Sequence, residues 1–276
     1  MFQYLMVGLL LIILSPVECI VGGQPTTLEQ FSTSLAQYKG NLFTLFPSPI
    51  SDLLFLLPPR LGVFDRFAQV IALSPQHILT VGHVIPLNEE NRTQASFFQN
   101  CQYILDFDNY DIINCTVHPD FQVLQNEITT YAINDIAICK VDKPLSSNIP
   151  LITIPTSNIA SGTVGRTAGW GKTNPNNTFG SECLNKCNMT IVDQASCNTL
   201  YNGIIADYHI CAINTNGAGP CGGDSGSPLI INLDGVDYSV GLTSFAKDCA
   251  STTFPSVYTN LSYFQSWIEN IVKSDK

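Results

Sequence analysis

A serine enclosed by glycines lies in the segment CGGDSGSPL, residues 221–229. Flanking glycines allow a sharp turn that exposes the hydroxyl of Ser225 and points backbone N–H groups toward one spot. Acyl transfer needs a nucleophile and donors for the developing oxyanion, and this segment offers both. Taken alone, the segment also fits any glycine-rich turn.

A serine nucleophile needs a base that a carboxylate orients. His83 follows the apolar run of LTVGHV, and Asp135 opens a predicted apolar strand in NDIAICKV. A carboxylate at the start of such a strand is held near the core, where it can fix the tautomer of an imidazole. Taken singly, each residue also has a structural reading: His83 as a core histidine, Asp135 as a strand cap and Ser225 as a turn residue.

The elements that must position these residues are mostly strands. Short apolar or alternating runs such as FAQVIAL, SPLIINL and YSVGLTSF are broken by Gly, Pro, Asn and Asp, as is typical of strands. Helical spacing is concentrated at the C-terminal end, around Phe264, Trp267 and Ile271. The predicted fold class is therefore all-β with a C-terminal α-helix. The Pro- and Ser-containing stretch 142–158 is the best linker candidate, so we expect an N-terminal unit at 20–145 and a C-terminal unit at 146–276.

The first nineteen residues have the form of a signal peptide. Their apolar run, residues 5–14, is too short to span a bilayer. Two small residues, Val17 and Cys19, lie three and one positions before Ile20 and predict a cut between Cys19 and Ile20. A cut after Ser15 is the alternative. We therefore expect a secreted, extracellular protein.

Charge and histidine content limit the partners and cofactors. The formal net charge is −10, which argues against nucleic acid and anionic membranes. Four histidines and no C-x-x-C pair argue against a metal site, so no cofactor is expected. Five sequons follow the proposed cut and predict glycosylation at Asn91, Asn114, Asn176, Asn188 and Asn260.

Six segments occur in an order and rough spacing that resemble the chymotrypsin-like serine protease family. They are IVGG at 20, LTVGHV at 79, NDIAI at 134, AGWG at 168, GDSGSP at 223 and PSVYTNL at 255. The resemblance covers essentially the whole chain after residue 19. It implies two six-stranded antiparallel β-barrels with the active site between them, and protein or peptide substrates, with protein inhibitors as further partners. We expect a monomer.

The resemblance also implies a role for each residue of the site. His83 is the general base and acid, Asp135 orients it, and Ser225 is the nucleophile. The N–H groups of Gly223 and Ser225 form the oxyanion hole. Ser244 matches a position that supports Asp135 and the substrate backbone.

The predicted substrate pocket is uncharged. Gly219 matches its base, where trypsin-like enzymes carry Asp, and Ala246 and Ser256 match its walls. Phe245 stands where Trp is usual. We therefore expect cleavage after medium apolar side chains such as Leu or Met, as in chymotrypsin- or elastase-like enzymes, and not after Lys or Arg.

The family's activation step points to two further residues. In this family the freed amino group of Ile20 pairs with Asp224, beside the nucleophile. Cys19, and not Arg or Lys, precedes Ile20, so a trypsin-like activator is not indicated. We expect signal peptidase itself to expose Ile20.

Ten cysteines indicate disulfides. The resemblance implies the pairs Cys197–Cys211 and Cys221–Cys249. Two local closures, Cys101–Cys115 and Cys183–Cys187, are also expected, which leaves Cys139 as a small buried hydrophobe. The family's disulfide at the positions of Ala68 and Val84 is absent, as is the one at Gly165 and Ile231.

Two other classes of function compete with an active protease. Val81 and Ser227, next to catalytic positions, replace usual residues, so one alternative is a catalytically impaired homologue that acts by binding or regulation. The second is a structural glycoprotein that acts through an apolar insertion at about 43–63, LFTLFPSPISDLLFLLPPRLG.

Overall fold

The structure is a computed structural model that describes residues 20–26, 35–39, 66–85, 94–98, 107–177, 180–181 and 183–275. Four sequence expectations fall outside these ranges: the signal peptide at 1–19, the insertion at 43–63, Asn91, and the Cys101 half of a disulfide.

Strands dominate the described part of the chain, numbered here in chain order. They are β1 (Gln24–Pro25), β2 (Leu35–Lys39), β3 (Arg66–Ser74), β4 (His77–Thr80), β5 (Gln94–Phe98), β6 (Phe107–Val117), β7 (Gln122–Gln125), β8 (Thr130–Ile133), β9 (Ala137–Val141), β10 (Val164–Gly169), β11 (Asn185–Ile191), β12 (His209–Ile213), β13 (Pro228–Leu233), β14 (Val236–Phe245) and β15 (Ser256–Asn260). Two α-helices accompany them: α1 (Gln194–Leu200) and α2 (Gln265–Ser274).

Six antiparallel strands of the N-terminal half close into the first barrel, in the order β2, β3, β4, β9, β6 and β5. The ring closes because β5 pairs with β2 as well as with β6. Its interior includes Val70, Ile78 and Val141, β-branched side chains that pack well on a pleated surface. The short hairpin of β7 and β8 lies outside this ring.

The second barrel is built from the C-terminal half and one piece of the N-terminal segment. Its strand order is β1, β11, β10, β13, β14, β15 and β12. Because β11 also pairs with β12, six of these strands form a closed ring, and β1 adds to β11 from outside it. The segment that begins at Ile20 is therefore held against the second barrel.

One apolar core joins the two barrels. It takes buried residues from both barrels and from the C-terminal region: Ile71, Leu79, Val81, Ile136, Ile138, Ala168, Trp170, Leu184, Ile230, Leu242, Leu261, Phe264 and Ile268. Because this core is continuous, it fixes the relative position of strands that carry the catalytic candidates. Val81, two residues before His83, is completely buried in this core.

Helix α2 packs on this core through one face, where Ile268 is buried and Trp267 and Ile271 are half-buried. This is the face that the helical spacing indicated. The predicted all-β fold of two six-stranded barrels with a C-terminal helix is confirmed. No helix within the described ranges is long and apolar enough to cross a membrane.

Candidate active site

His83 lies in a 3-10 turn, Gly82–Val84, that directly follows the buried strand β4. Its backbone N–H donates to Asp135 Oδ1 at 2.8 Å, and its Nδ1 lies 2.7 Å from Asp135 Oδ2. An ionised carboxylate only accepts hydrogen bonds, so Nδ1 carries the hydrogen. Nε2 is therefore left as the basic nitrogen of the neutral ring.

Asp135 lies just before β9 and is 2% exposed. Its Oδ2 also accepts a hydrogen bond of 2.5 Å from Ser244 Oγ, and its carbonyl oxygen accepts one of 2.7 Å from Thr259 Oγ1. Burial by itself would raise the pKa of Asp135, but the hydrogen bonds and charge of His83, together with the Ser244 hydroxyl, lower it overall. The carboxylate thus stays ionised in the site.

Ser225 lies in the turn between β12 and β13, and its Oγ is 2.9 Å from His83 Nε2. Since Nδ1 holds the ring hydrogen, the Ser225 hydroxyl donates to Nε2. Gly226, next in the turn, has a φ of +83°, and a Cβ there would lie 2.2 Å from the carbonyl oxygen of Gln69. Only glycine allows so close an approach of the turn to β3.

The backbone N–H groups of the turn divide into two kinds. Asp224 N–H donates to Cys221 O, and Gly226 N–H donates to Thr243 O. The N–H groups of Gly223 and Ser225 donate to no atom within the described chain. Two free donors next to the Ser225 hydroxyl are what an oxyanion hole requires.

Asp224 is completely buried between two backbone donors. Its Oδ1 accepts from Gly171 N–H at 2.9 Å and its Oδ2 accepts from Cys221 N–H at 3.0 Å. A Cβ on Gly171 would lie 2.4 Å from the carboxyl carbon, so this position needs glycine. Burial raises the pKa of Asp224 to about 7, because no cation faces it within the described ranges.

Ile20 is 0% exposed and belongs to the core of the second barrel. Val21, the next residue, pairs with Gly219, and Cys221, two residues beyond Gly219, donates its N–H to Asp224, so Ile20 and Asp224 lie in one region. Ile20 has a φ of +54°, an outlier for a β-branched residue. A residue that begins a chain has no φ, so a cut before Ile20 would remove this constraint.

The pocket candidates lie in the segments on either side of the Cys221–Cys249 disulfide and in β15. Gly219 is buried and donates its N–H to Val21 O at 3.0 Å. A Cβ at this position would lie 3.2 Å from Ala250 Cα, which is a tight contact. Phe245, at the end of β14, is opposite Val257, the neighbour of Ser256. Ala246 follows Phe245 in the chain and its carbonyl oxygen accepts from Thr129 Oγ1 at 3.4 Å.

The other three histidines have structural contacts. His209 is buried, with Nε2 3.1 Å from Ala132 O, and burial lowers its pKa to about 4. The His118 ring packs against Phe264 and Trp267. His77 Nδ1 lies 2.6 Å from Ser74 Oγ. None of the three contacts Ser225.

The two disulfides implied for the second barrel, Cys197–Cys211 and Cys221–Cys249, are present. The expectation that Cys115 pairs with Cys101 and that Cys139 is free is wrong. Cys115 on β6 is directly opposite Cys139 on β9, with Cα atoms 4.0 Å apart, and the two form a disulfide. Strand register, which puts the two side chains on one face, decides this pairing.

The expected Cys183–Cys187 closure is also wrong. Cys183 is disulfide-bonded, whereas Cys187 is a buried free thiol. Cys187 lies in β11 and belongs to the apolar core of the second barrel.

The burial of Asn260 argues against glycosylation at that predicted site. Asn260 is 3% exposed, and its Nδ2 donates to Asn158 Oδ1 and to Asp207 O. A glycan needs this nitrogen at the surface. Asn114, Asn176 and Asn188 are exposed, and glycosylation there stays a prediction.

Three residues that touch the site were not found from the sequence. Thr259 holds the backbone of Asp135, and Gly171 donates to Asp224. Gln69 contacts the nucleophile turn from β3. The available signals were a single glutamine inside the apolar run FAQVIAL and the family segments AGWG and PSVYTNL, which contain Gly171 and Thr259. Within the described ranges, no group of three His, Cys, Asp or Glu side chains could hold a metal ion.

Known proteins resemble this chain in sequence. A family model described as Trypsin matches residues 66–268. Brachyurin of Leptuca pugilator is 35% identical over 154 residues, which cover 54% of this chain and 66% of the relative. A CLIP domain-containing serine protease B4 of Anopheles gambiae is 29% identical over 275 residues, covering 91% of this chain and 69% of the relative. Trypsin-3 of Salmo salar is 29% identical over 168 residues, which cover 60% of this chain and 66% of the relative. The chain thus spans just under two thirds of the brachyurin and of the trypsin-3.

Two β-barrels with His83 between Asp135 and Ser225 define a protease-like architecture of the chymotrypsin type. The chain belongs to the trypsin family of chymotrypsin-like serine endopeptidases. Its disulfides fit an extracellular protein.

Proposed function

We propose that the protein is an active, secreted serine endopeptidase that cleaves peptide bonds through an acyl-enzyme on Ser225. The observation that carries this proposal is the position of His83, 2.7 Å from Asp135 and 2.9 Å from Ser225. Within the family, an impaired homologue would be expected to lack one of these contacts or the free N–H groups of the turn.

Acylation begins when Ser225 Oγ attacks the carbonyl carbon of the scissile bond. The hydroxyl proton passes to His83 Nε2, which is within hydrogen-bond distance. Asp135 stabilises the imidazolium through Nδ1–H. The N–H groups of Gly223 and Ser225 bind the oxyanion of the tetrahedral intermediate. One such donor lowers the activation barrier by about 3–4 kcal/mol.

The intermediate collapses when the C–N bond breaks and His83 Nε2–H gives its proton to the leaving amine. A water molecule then attacks the acyl carbon and loses a proton to His83 Nε2. Breakdown of the second intermediate releases the carboxylic acid product and returns the proton to Ser225 Oγ. All atoms and charges balance with one water consumed for each bond cut.

The uncharged pocket supports a preference for medium apolar side chains. Gly219, Ala246 and Ser256 carry no charge that could pair an ammonium or guanidinium group. The side chains of Ala246 and Ser256 narrow the space that two glycines would leave open. Leu or Met before the cut bond is therefore the proposed choice.

The state of Ile20 and Asp224 supports activation by a cut before Ile20. A free α-ammonium there would supply the cation that the buried Asp224 carboxylate lacks within the described ranges. We propose that signal peptidase makes this cut, so that the protein is secreted in its active form. Sequencing of the secreted N-terminus tests this step, and a start that retains Cys19 would contradict it.

A fluorophosphonate probe tests the activity itself. We expect covalent labelling of the wild-type protein at Ser225, located by mass spectrometry, and none of Ser225→Ala. Ser227→Ala is the matched control, because Ser227 lies two residues away, is completely buried and should not affect labelling. Absence of labelling in a protein shown to begin at Ile20 would overturn the proposal.

A set of peptide substrates that differ only in the residue before the cut bond tests the pocket. We expect Leu and Met to exceed Lys in kcat/KM by about tenfold or more, because an ammonium group loses hydration without gaining a partner. Gly219→Asp should narrow that difference. A wild-type preference for Lys or Arg would contradict the proposed specificity.

A further inference from the structure

Gln69 is a polar residue in the apolar run of β3, and it is 1% exposed. It contacts the nucleophile turn twice. Its backbone N–H donates to Ser225 O at 2.7 Å, and its side-chain Nε2 donates to Gly223 O at 3.0 Å. Its own carbonyl oxygen accepts from Thr80 Oγ1 at 2.7 Å, which ties it to β4.

These contacts hold the turn on both sides of Asp224. The two carbonyls belong to the two residues whose N–H groups are free to bind an oxyanion. Gly223 has a φ of +94° and no side chain, so fewer backbone conformations are sterically forbidden to it than to Ser225. A donor that fixes the Gly223 carbonyl restricts the rotation that would turn the Gly223 N–H away.

Only one of the two polar atoms of the Gln69 side chain, Nε2, has a hydrogen-bond partner. Its Oε1 is buried without a hydrogen-bond partner, which is unfavourable. The opposite orientation of the amide would put Oε1 against Gly223 O, so the amide is held in the orientation that serves this carbonyl. An apolar side chain of similar size would fill the space without the unpaired oxygen. An amide kept here at a loss of stability indicates a role in the turn.

We propose that Gln69 is a positioning residue for the oxyanion hole, which it orders by donating its side-chain N–H to the Gly223 carbonyl. This inference rests on the proposed function. Gln69 touches no reacting atom in this arrangement, and acts through Gly223 alone.

Gln69→Met tests the proposal, because methionine has a similar length and no donor. We expect kcat to fall by about tenfold to a hundredfold, while KM changes little. This decrease is no larger than the one expected when an oxyanion-hole donor is removed completely. Binding of a peptide aldehyde, which forms a tetrahedral adduct with an oxyanion, should weaken by the same factor. The melting temperature should be unchanged or higher, since the unpaired Oε1 is gone. Gln76→Met, in the turn between β3 and β4, is the matched control and should change none of these values.

Gln69→Glu provides a second test, which does not depend on whether Gln69→Met folds. A protonated carboxyl group can donate to Gly223 O, whereas a carboxylate cannot. The ratio of mutant to wild-type kcat should therefore fall as pH rises through the pKa of the new carboxyl, which burial raises. Active sites are counted by fluorophosphonate titration, so that only folded enzyme is compared.

Two results would overturn the role of Gln69 while leaving the proposed function intact. One is a Gln69→Met enzyme with wild-type kcat and aldehyde affinity. The other is a pH profile of Gln69→Glu that is parallel to that of wild type. A wild-type protein that neither labels nor cleaves would instead count against the proposed function.

Discussion

Ser244 Oγ donates a hydrogen bond of 2.5 Å to Asp135 Oδ2, the same oxygen that faces His83 Nδ1. The contact joins β14 of the second barrel to the residue that precedes β9 of the first. The two barrels therefore share one carboxylate, and the orientation of His83 depends on both.

Ser244→Ala should lower both kcat/KM and stability. Hydrogen bonds to charged groups contribute about 1.5–3 kcal/mol, so a fall in kcat/KM of about tenfold or more is expected. The pKa of Asp135 is lowered in the folded state, so its contribution to stability is present above the unfolded pKa and is lost as pH falls through the folded one. The difference in melting temperature between mutant and wild type should accordingly be largest near neutral pH and shrink in acid.

Ser239→Ala on the same strand is the matched control. Its buried hydroxyl has no hydrogen-bond partner in the described structure, so the change should leave stability unchanged or raise it. An equal loss for Ser244→Ala at every pH would mean that the contact with the Asp135 charge is unimportant.

Asp224→Asn should act in opposite directions in two forms of the protein. In a form that continues before Ile20, the carboxylate pKa of about 7 lies above its ordinary 3.8, so stability is greatest in acid and falls as pH rises from about 4 through 7. The difference corresponds to about 4 kcal/mol. Asp224→Asn should abolish this decline and raise the melting temperature near pH 8.

In a form that begins at Ile20, we expect the α-ammonium group to pair with Asp224, so that Asp224→Asn should instead lower stability and activity. Melting curves of both forms between pH 4 and pH 8 provide the comparison. If the longer form keeps the same dependence of stability on pH after Asp224→Asn, the assignment of the buried charge to Asp224 is contradicted.

Replacing Cys115 and Cys139 together by alanine should destabilise the first barrel. The disulfide closes a segment with a sequence separation of 24, for which loop closure accounts for about 3 kcal/mol. Asp135 lies within that segment, so activity should be lost at a lower temperature than in wild type, with kcat little changed in the cold. The measurement is thermal inactivation, with Cys187→Ala as the control. Because Cys187 is a free thiol, this control shows the effect of replacing a cysteine without breaking a disulfide.

Peptide mapping without reduction checks the same pairing. We expect a linked pair of peptides that contain Cys115 and Cys139, and alkylation of Cys187 only after unfolding. Alkylation of Cys139 in the unreduced protein would show that the disulfide is not formed.

The candidate site residues could be predicted because each lies in a short local motif, and the two-barrel fold because six such motifs occur in the family's order. His83, Asp135 and Ser225 all lie in such motifs, and the structure brings them within 2.9 Å of their partners. The pairs Cys197–Cys211 and Cys221–Cys249 could be predicted from the resemblance to the family. The pairing of Cys115 with Cys139 could not, because it depends on the register of β6 against β9.

The burial of Asn260 could not be predicted either, because the sequon motif is identical whether the asparagine lies in a surface loop or in the core. Gln69 was overlooked because its partner is a backbone carbonyl 154 residues away. Backbone carbonyls carry no sequence signal, so only the folded chain reveals that contact.

The central claim, that His83 and Ser225 act as one catalytic unit, is tested most directly by a double-mutant cycle. The measurement is kcat for wild type, Ser225→Ala, His83→Ala and the double variant, on a peptide with Leu before the cut bond. Each single change should lower kcat by about a millionfold, and the double variant should be no slower than either, because one missing member already disables the unit. Losses that add in the double variant, or a single variant that keeps wild-type kcat, would contradict the account.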